Sequence, residues 1–147
     1  MCKDLFNFGN DVYICIAYVP PIDSKIHNTN DINMFECIES GIEKYKEHGH
    51  IYVTGDFNAR TAILPDFLEH DRFLDTNIEL DYINLPERVN KDHVIDAHGR
   101  RLVYLCKTTN LFIGNGRLDE DKHLGSFTFY NNNGASTVEY LLNNLII

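Results

Sequence analysis

One stretch of the chain carries side chains whose types and spacing suit phosphoryl chemistry: Ile51-Tyr-Val-Thr-Gly-Asp-Phe-Asn-Ala-Arg-Thr61. An apolar run delivers Gly55, then a carboxylate at Asp56 and a carboxamide at Asn58 two residues later. In extended backbone, positions i and i+2 point to one face, so both groups can converge on a single ligand. A carboxylate there can orient and polarise an attacking water. The uncharged amide can donate to a phosphoryl oxygen without adding negative charge. Gly55 lets the backbone turn sharply at the end of the run. A plainer reading of the same residues is a turn in which Asp56 and Asn58 cap local backbone groups.

Positioning these groups requires a framework, and the hydrophobic pattern supplies one. Asp11 to Val19 is apolar on both alternations, rich in β-branched and aromatic residues, and stopped by Pro20-Pro21, which predicts a central strand buried on both faces. Asp31 can cap a helix running to about His48, with Ile32, Phe35, Ile38, Ile42 and Tyr45 at helical spacing and Gly49 as the stop. His50 to Thr54 reads as a second strand that runs directly into Asp56. Thr61 to Ala97 holds Pro65 and Pro86, many acids and little periodicity, and reads as a long acidic loop. Beyond it, His98 to Thr109 regains helical spacing, with Asn110 as terminator, and Leu111 to Ile113 forms a third strand. Ser126 to Tyr130 and Ser136 to Leu142 flank Asn131-Asn-Asn-Gly134, a hairpin signal because Asn and Gly tolerate positive φ.

The chain of 147 residues suits a single domain, and its 44% hydrophobic and 12% aromatic content argues for a packed core rather than disorder. No apolar run approaches the roughly 18 residues of a membrane span. The four cysteines (Cys2, Cys15, Cys37, Cys106) are scattered without a Cys-x-x-Cys pair. That spacing argues against a zinc site or a disulfide framework, and Cys15, Cys37 and Cys106 sit in apolar segments. The expectation is an intracellular protein, nuclear or cytoplasmic, neither secreted nor membrane-bound. A net charge of −9 sits awkwardly with a nucleic-acid partner. Nine acids against three bases fall between Asp66 and Asp96, however, so the sign of the whole chain need not describe the active face.

Gly55-Asp56-Phe57-Asn58 after an apolar strand resembles the signature of the endonuclease/exonuclease/phosphatase superfamily, and Tyr18-Val-Pro-Pro21 resembles its strand ending in Tyr-x-Pro. His98-Gly-Arg-Arg-Leu-Val-Tyr-Leu-Cys106, Leu111-Phe-Ile-Gly-Asn-Gly-Arg117, Ser126-Phe-Thr-Phe129 and Ser136-Thr-Val-Glu-Tyr140 follow the order seen in the endonuclease domains of non-LTR (LINE-type) retrotransposons. The resemblance implies an α/β, four-layered sandwich, in which two mostly antiparallel sheets pack face to face between helices. It also implies hydrolysis of DNA phosphodiesters assisted by Mg²⁺ or Mn²⁺, within a polyprotein that also carries a reverse transcriptase. By position, Asp56 would activate the water, Asn58 would hold the scissile phosphate and the Tyr18 hydroxyl would contact it.

Departures accompany the matches. The family's metal-binding Glu and an Asn on an earlier strand lie N-terminal to anything present, so no metal ligand can be named. The Ser-Asp-His segment that supplies the catalytic histidine is absent beyond Ile147. Glu139 stands where the family has an Asp that pairs with that histidine. The longer side chain would move the carboxylate by over an ångström, and such a misplacement can cost about 10²-fold in rate. The chain is therefore expected to be an incomplete domain, terminating in an unpaired apolar stretch, that cuts DNA weakly or not at all by itself.

Four arginines, Arg60, Arg100, Arg101 and Arg117, could touch a nucleic-acid backbone, with Arg60 and Arg117 as the chosen candidates. Asp66, Glu69, Asp71 and Asp75 could offer oxygen ligands to a hard cation, although an acidic loop is ordinarily just hydrated. His98 reads as a helix-start residue, and His70, His93 and His123 as solvated loop residues. Two other functions stay open. The Asp56/Asn58 pair would equally serve a phosphatase or phosphodiesterase acting on small molecules or lipids. A catalytically silent remnant, inert or retained as a nucleic-acid-binding module, would account for Glu139 and the missing ends.

Overall fold

The computed structural model describes residues 11–25, 33–67 and 85–144. Two α-helices and six strands in two sheets make up these residues, an α/β fold as the sequence predicts. The larger sheet has four strands in the order β1-β2-β6-β3, and the smaller is a two-stranded hairpin, β4-β5. Strands β1 (Asp11–Tyr18) and β2 (Gly49–Asp56) are parallel, joined by a crossover through helix α1 (Met34–Tyr45). The pairs β2–β6 and β3–β6 are antiparallel, where β3 is Phe112–Ile113 and β6 is Glu139–Asn143. Among the described residues no helix is long and apolar enough to cross a membrane.

Both helices cover one face of the larger sheet. Alternation in β2 sends Ile51 and Val53 into that interface, where they meet Phe35, Ile38 and Ile42 of α1 and Leu102, Leu105 and Cys106 of α2 (Ala97–Thr109). Phe57, Leu102, Leu111, Ile113 and Leu142 are completely enclosed, each contributing about 1.5–3 kcal/mol of hydrophobic stabilisation. Tyr13 of β1 stacks on Tyr45 at the last turn of α1, with ring centroids 4.8 Å apart. Cys106 is buried, and burial pushes its thiol well above the usual range. Cys15 and Cys37 are free and exposed, not core fillers.

Three sequence expectations are corrected. Among the described residues strand β1 is not central: it lies at the sheet's edge, and Ile14 and Ile16 are 61% and 83% exposed. Its apolar character on both alternations misled because composition reports what could be covered, not what is. Helix α1 begins later and ends earlier than predicted, because Asn33 caps it. The Asn33 side chain accepts from Phe35 N–H and donates to Glu36. Asp31 and Ile32 lie outside the described residues, and Gly49 opens β2 rather than merely closing the helix.

The third correction concerns Ser136 to Leu142, which is not one hairpin arm. Gly134–Ser136 (β5) pairs with Phe129–Asn131 (β4), after which the chain crosses to the larger sheet as β6. Thr137 fixes that crossing: its N–H donates to Asp92 and its hydroxyl to Asn90, both buried. The acidic loop is described only in part, and its described residues form no helix and no named strand. Residues 61–67 and 85–96 are ordered against the core, with Thr61 bridging Ile95. Glu69, His70, Asp71 and Asp75 lie outside the described residues.

Candidate active site

The register places three of the sequence's four catalytic candidates in one row. Tyr18 of β1 pairs with Asp56 of β2, and Asp56 pairs with Glu139 of β6. Paired residues on adjacent strands share a face and sit about 5 Å apart. The row lies at the C-terminal ends of the two parallel strands. Tyr18 is 56% exposed, Asp56 is half-buried and Glu139 is exposed, so the row opens to solvent. Gly55 makes the approach possible: its φ is 140°, and a Cβ there would strike the Ala17 carbonyl of β1.

Asn58 joins the row by another geometry than the extended one. The chain leaves β2 after Asp56 and Asn58 turns left-handed, with φ 43°. Its backbone N–H donates to Asp56 Oδ1 at 2.9 Å, and its side-chain Nδ2 donates to the Val19 carbonyl at 2.9 Å. This corrects the i, i+2 argument: Asp56 meets the Asn58 backbone in a turn, and the Asn58 amide is committed to Val19 rather than set beside the Asp56 carboxylate by strand alternation. The turn holds the Asn58 amide against the carbonyl of the residue after Tyr18. His98, on the first turn of α2, supports the loop from behind: its Nδ1 lies 3.2 Å from the Asn58 carbonyl.

Two carboxylates dominate the row's electrostatics. Asp56 spends Oδ1 on the Asn58 N–H, and the Glu139 carboxylate makes no hydrogen bond among the described residues. The Glu139 backbone is fixed from both sides. Thr128 Oγ1 accepts from the N–H groups of Val138 and Glu139 at 3.1 Å each, and Asn115 donates to the Glu139 carbonyl at 3.1 Å. Asn115 also accepts from Leu141 N–H at 2.9 Å, so its amide mimics a neighbouring strand for β6. Sequence reasoning missed Thr128 and Asn115 as supports. Their signal was only that each sits in a quoted segment, Ser126-Phe-Thr-Phe129 and Leu111-Phe-Ile-Gly-Asn-Gly-Arg117.

The arginines divide sharply. Arg117 is 4% exposed and forms a two-pronged pair with buried Asp66, at 2.6 and 2.8 Å, with further bonds to the Ile113 and Pro86 carbonyls. It cannot reach a nucleic acid, which corrects that expectation. Asp66 is likewise neither hydrated nor open to a cation, because its oxygens serve Arg117 and the Ile113 N–H. Arg60 is one-third exposed and grips Asp92 through Nε and Nη2 at 2.8 and 2.7 Å. Burial alone would raise the Asp92 carboxyl, but the Arg60 fork and the N–H groups of Thr137 and Val94 outweigh it and hold that carboxyl below its usual range. The hydrogen bond to Asp92 in turn holds the Arg60 guanidinium more firmly charged.

Beneath the row lies a polar knot that the sequence did not announce. The Tyr140 hydroxyl sits 2.9 Å from the Thr137 carbonyl, 3.0 Å from that of Ala59 and 3.2 Å from Thr61 Oγ1. Burial pushes its pKa up to about 12. Arg88 donates to Thr61 and to the Leu64 carbonyl, while its buried Nε has no partner among the described residues.

No group of three or more His, Cys, Asp or Glu side chains among the described residues gathers around one point. The donor chemistry that suits a divalent cation is the pair Asp56 and Glu139. Mg²⁺ prefers hard oxygen and binds through one or two carboxylates together with substrate phosphate, so these two fit it. Compared with family models, with curated proteins and with solved structures, the chain matches none.

Proposed function

We propose that this chain carries the core of a metal-assisted phosphodiester hydrolase acting on DNA, of the kind found in the endonuclease domains of LINE-type retrotransposons. The observation that carries the reading is the row Tyr18–Asp56–Glu139, closed at one end by Asn58. A phenol and two carboxylates stand side by side where three adjacent strands open to solvent, with an amide on the adjoining turn. That set can hold a phosphodiester, orient water and tolerate a divalent cation. A reverse transcriptase in the same polyprotein belongs to this proposal as a partner.

The chemistry follows from what each group has to spare. The free oxygen of Asp56 accepts a hydrogen bond from water and turns its lone pair toward phosphorus. Tyr18 donates its hydroxyl to a non-bridging oxygen, and Asn58 has a second amide hydrogen beyond the one given to Val19. Glu139 and Asp56 would hold Mg²⁺ or Mn²⁺, which when bound neutralises charge developing on the phosphoryl oxygens. Without a third donor among the described residues, turnover by this chain is expected to be slow.

A second reading, binding without cutting, is favoured by one specific observation. Asn58 already commits an amide hydrogen to a backbone carbonyl in a left-handed turn, as it would in a purely structural cap. Prolonged incubation of supercoiled plasmid with Mg²⁺ or Mn²⁺ separates the two. Slow nicking by the chain that Asp56→Ala removes supports hydrolysis. DNA binding with no nicking supports the binding module, and nicking unchanged in Asp56→Ala defeats the assignment of the row.

A further inference from the structure

Strand β1 ends the larger sheet without the devices that close an edge to further pairing. Among the described residues it pairs with β2 alone, in unbroken register from Asp11 to Tyr18. From Val12 to Val19 it carries no charge and no proline. Its free backbone groups can be named. Val19 N–H donates to the Asp56 carbonyl, and the carbonyls of Asp11 and Ala17 lie against Gly49 and Gly55, so the odd-numbered residues turn their backbone groups to β2. The N–H and C=O groups of Val12, Ile14, Ile16 and Tyr18 therefore point outward, without a partner among the described residues.

Beside that edge runs a groove of about 560 Å³ between β1 and α1, lined on the helix side by Met34, Cys37, Gly41 and Tyr45. Gly41 stands within the helix, where glycine is weaker than alanine. A Cβ there would meet nothing within 4 Å, so no neighbour in the same chain requires the glycine. Its height along the strand is fixed by Tyr45, which stacks on Tyr13. As the crossover between parallel strands, α1 runs opposite to β1. Gly41 is four residues before Tyr45, about 6 Å, and Cys15 is two residues after Tyr13, about 7 Å, so the two are level. The missing side chain leaves room beside the middle of the edge.

We infer that this edge pairs with the same edge of a second copy of the chain, antiparallel, about a two-fold axis at Cys15. That register sets Ile14 opposite Ile16 and Val12 opposite Tyr18 of the other copy, each as a hydrogen-bonded pair, so every outward group finds a partner. Tyr13 falls opposite Ala17 on the helix face. No charge meets a like charge along the pair, although each chain carries −9. Centring the pair on Ile14 instead would leave Tyr18 beyond the partner's strand. An unrelated extended peptide would satisfy the backbone equally, but only a symmetric partner brings a second helix to Gly41 at the midpoint. The joined sheet carries both candidate rows on one face, with the two Tyr18 residues about 20 Å apart. The inference stands apart from the hydrolase reading.

The test is sedimentation velocity of the reduced full chain from roughly 1 to 200 μM, beside Ile16→Lys and Gly41→Ala. Ile16 is 83% exposed, so the lysine leaves the protomer folded, which circular dichroism checks. Wild type should pass from monomer to dimer in that range. The lysine enters the interface twice and should raise the midpoint about 100-fold. Gly41→Ala strengthens the helix within each protomer and should still raise the midpoint, by about tenfold. Oxidation of the variant Cys2→Ser, Cys37→Ser should then join two copies through Cys15, since Cys106 is buried. A non-hydrogen-bonded pair holds its Cα atoms about 4.5 Å apart, within disulfide range. A chain monomeric throughout, a dimer untouched by either substitution, or one that gives no Cys15 cross-link overturns the inference. Binding of an eight-residue Val-Thr peptide by a monomeric chain also overturns it, and assigns the groove to an extended segment of another protein.

Discussion

Two groups of charged side chains, built from the same residue types, have opposite fates in this molecule. Asp66 with Arg117 is sealed in the interior, and every polar atom of the pair that the structure describes has a partner. Asp56 with Glu139 lies at the open ends of strands, like charge beside like charge, with oxygens to spare. Desolvation explains the first arrangement. An ion pair removed from water survives only if geometry and hydrogen bonds are nearly complete. The second is tolerated because water screens it, and it leaves acceptors free for a ligand. A carboxylate's identity therefore says little about its role, and the number of its lone pairs already spent says much.

The strongest way to break this comparison is Arg117→Met, which keeps the volume and removes the charge. Asp66 would be left buried with one backbone donor, at a cost of about 3–5 kcal/mol in urea unfolding. A loss under 1 kcal/mol would mean that Asp66 is hydrated and that the two regions do not differ as described. Plasmid nicking and DNA binding, scaled to the folded fraction, should be unchanged, since Arg117 faces no ligand.

The contrast also marks what the sequence could and could not show. Strand β2, helix α2 and the Asn110 terminator, whose φ of 57° is the left-handed cap expected of Asn, were legible because period and capping are local. The edge position of β1 and the sheet switch at Thr137 were not, because each depends on which distant residue arrives beside it. The same holds for the site. Tyr18, Asp56 and Glu139 could be named from their segments, but their row is a property of register. Arg117 was misplaced because only a partner 51 positions away in sequence decides its burial.

The knot around Tyr140 sharpens the comparison at an intermediate scale. Its hydroxyl is buried and bonded but uncharged, so removing it should cost less than breaking the ionic pair. Tyr140→Phe is expected to lose about 1–2 kcal/mol. The burial that lifts its pKa from 10.0 to about 12 favours the neutral phenol in the folded state. This contribution is present below pH 10 and fades as pH rises toward 12, so wild type should lose stability across that window faster than Tyr140→Phe. Parallel curves would show that the hydroxyl is not buried.

The smallest expected effect has the opposite sign and bears on the exposed row. Like charges directly opposite one another in a sheet destabilise it, and Asp56 faces Glu139 across β2 and β6. Glu139→Gln should therefore raise stability, by about 0.2–1 kcal/mol, whereas changes in the buried clusters all lower it. Millimolar Mg²⁺ supplies the contrast that a merely crowded surface would not give. A cation held by the two carboxylates stabilises the wild type in proportion to its occupancy and should leave Glu139→Gln nearly unmoved. If the substitution destabilises, or Mg²⁺ shifts both proteins equally, the row is a surface like any other, and the distinction between carboxylates held for structure and carboxylates held for chemistry fails at the place where it matters most.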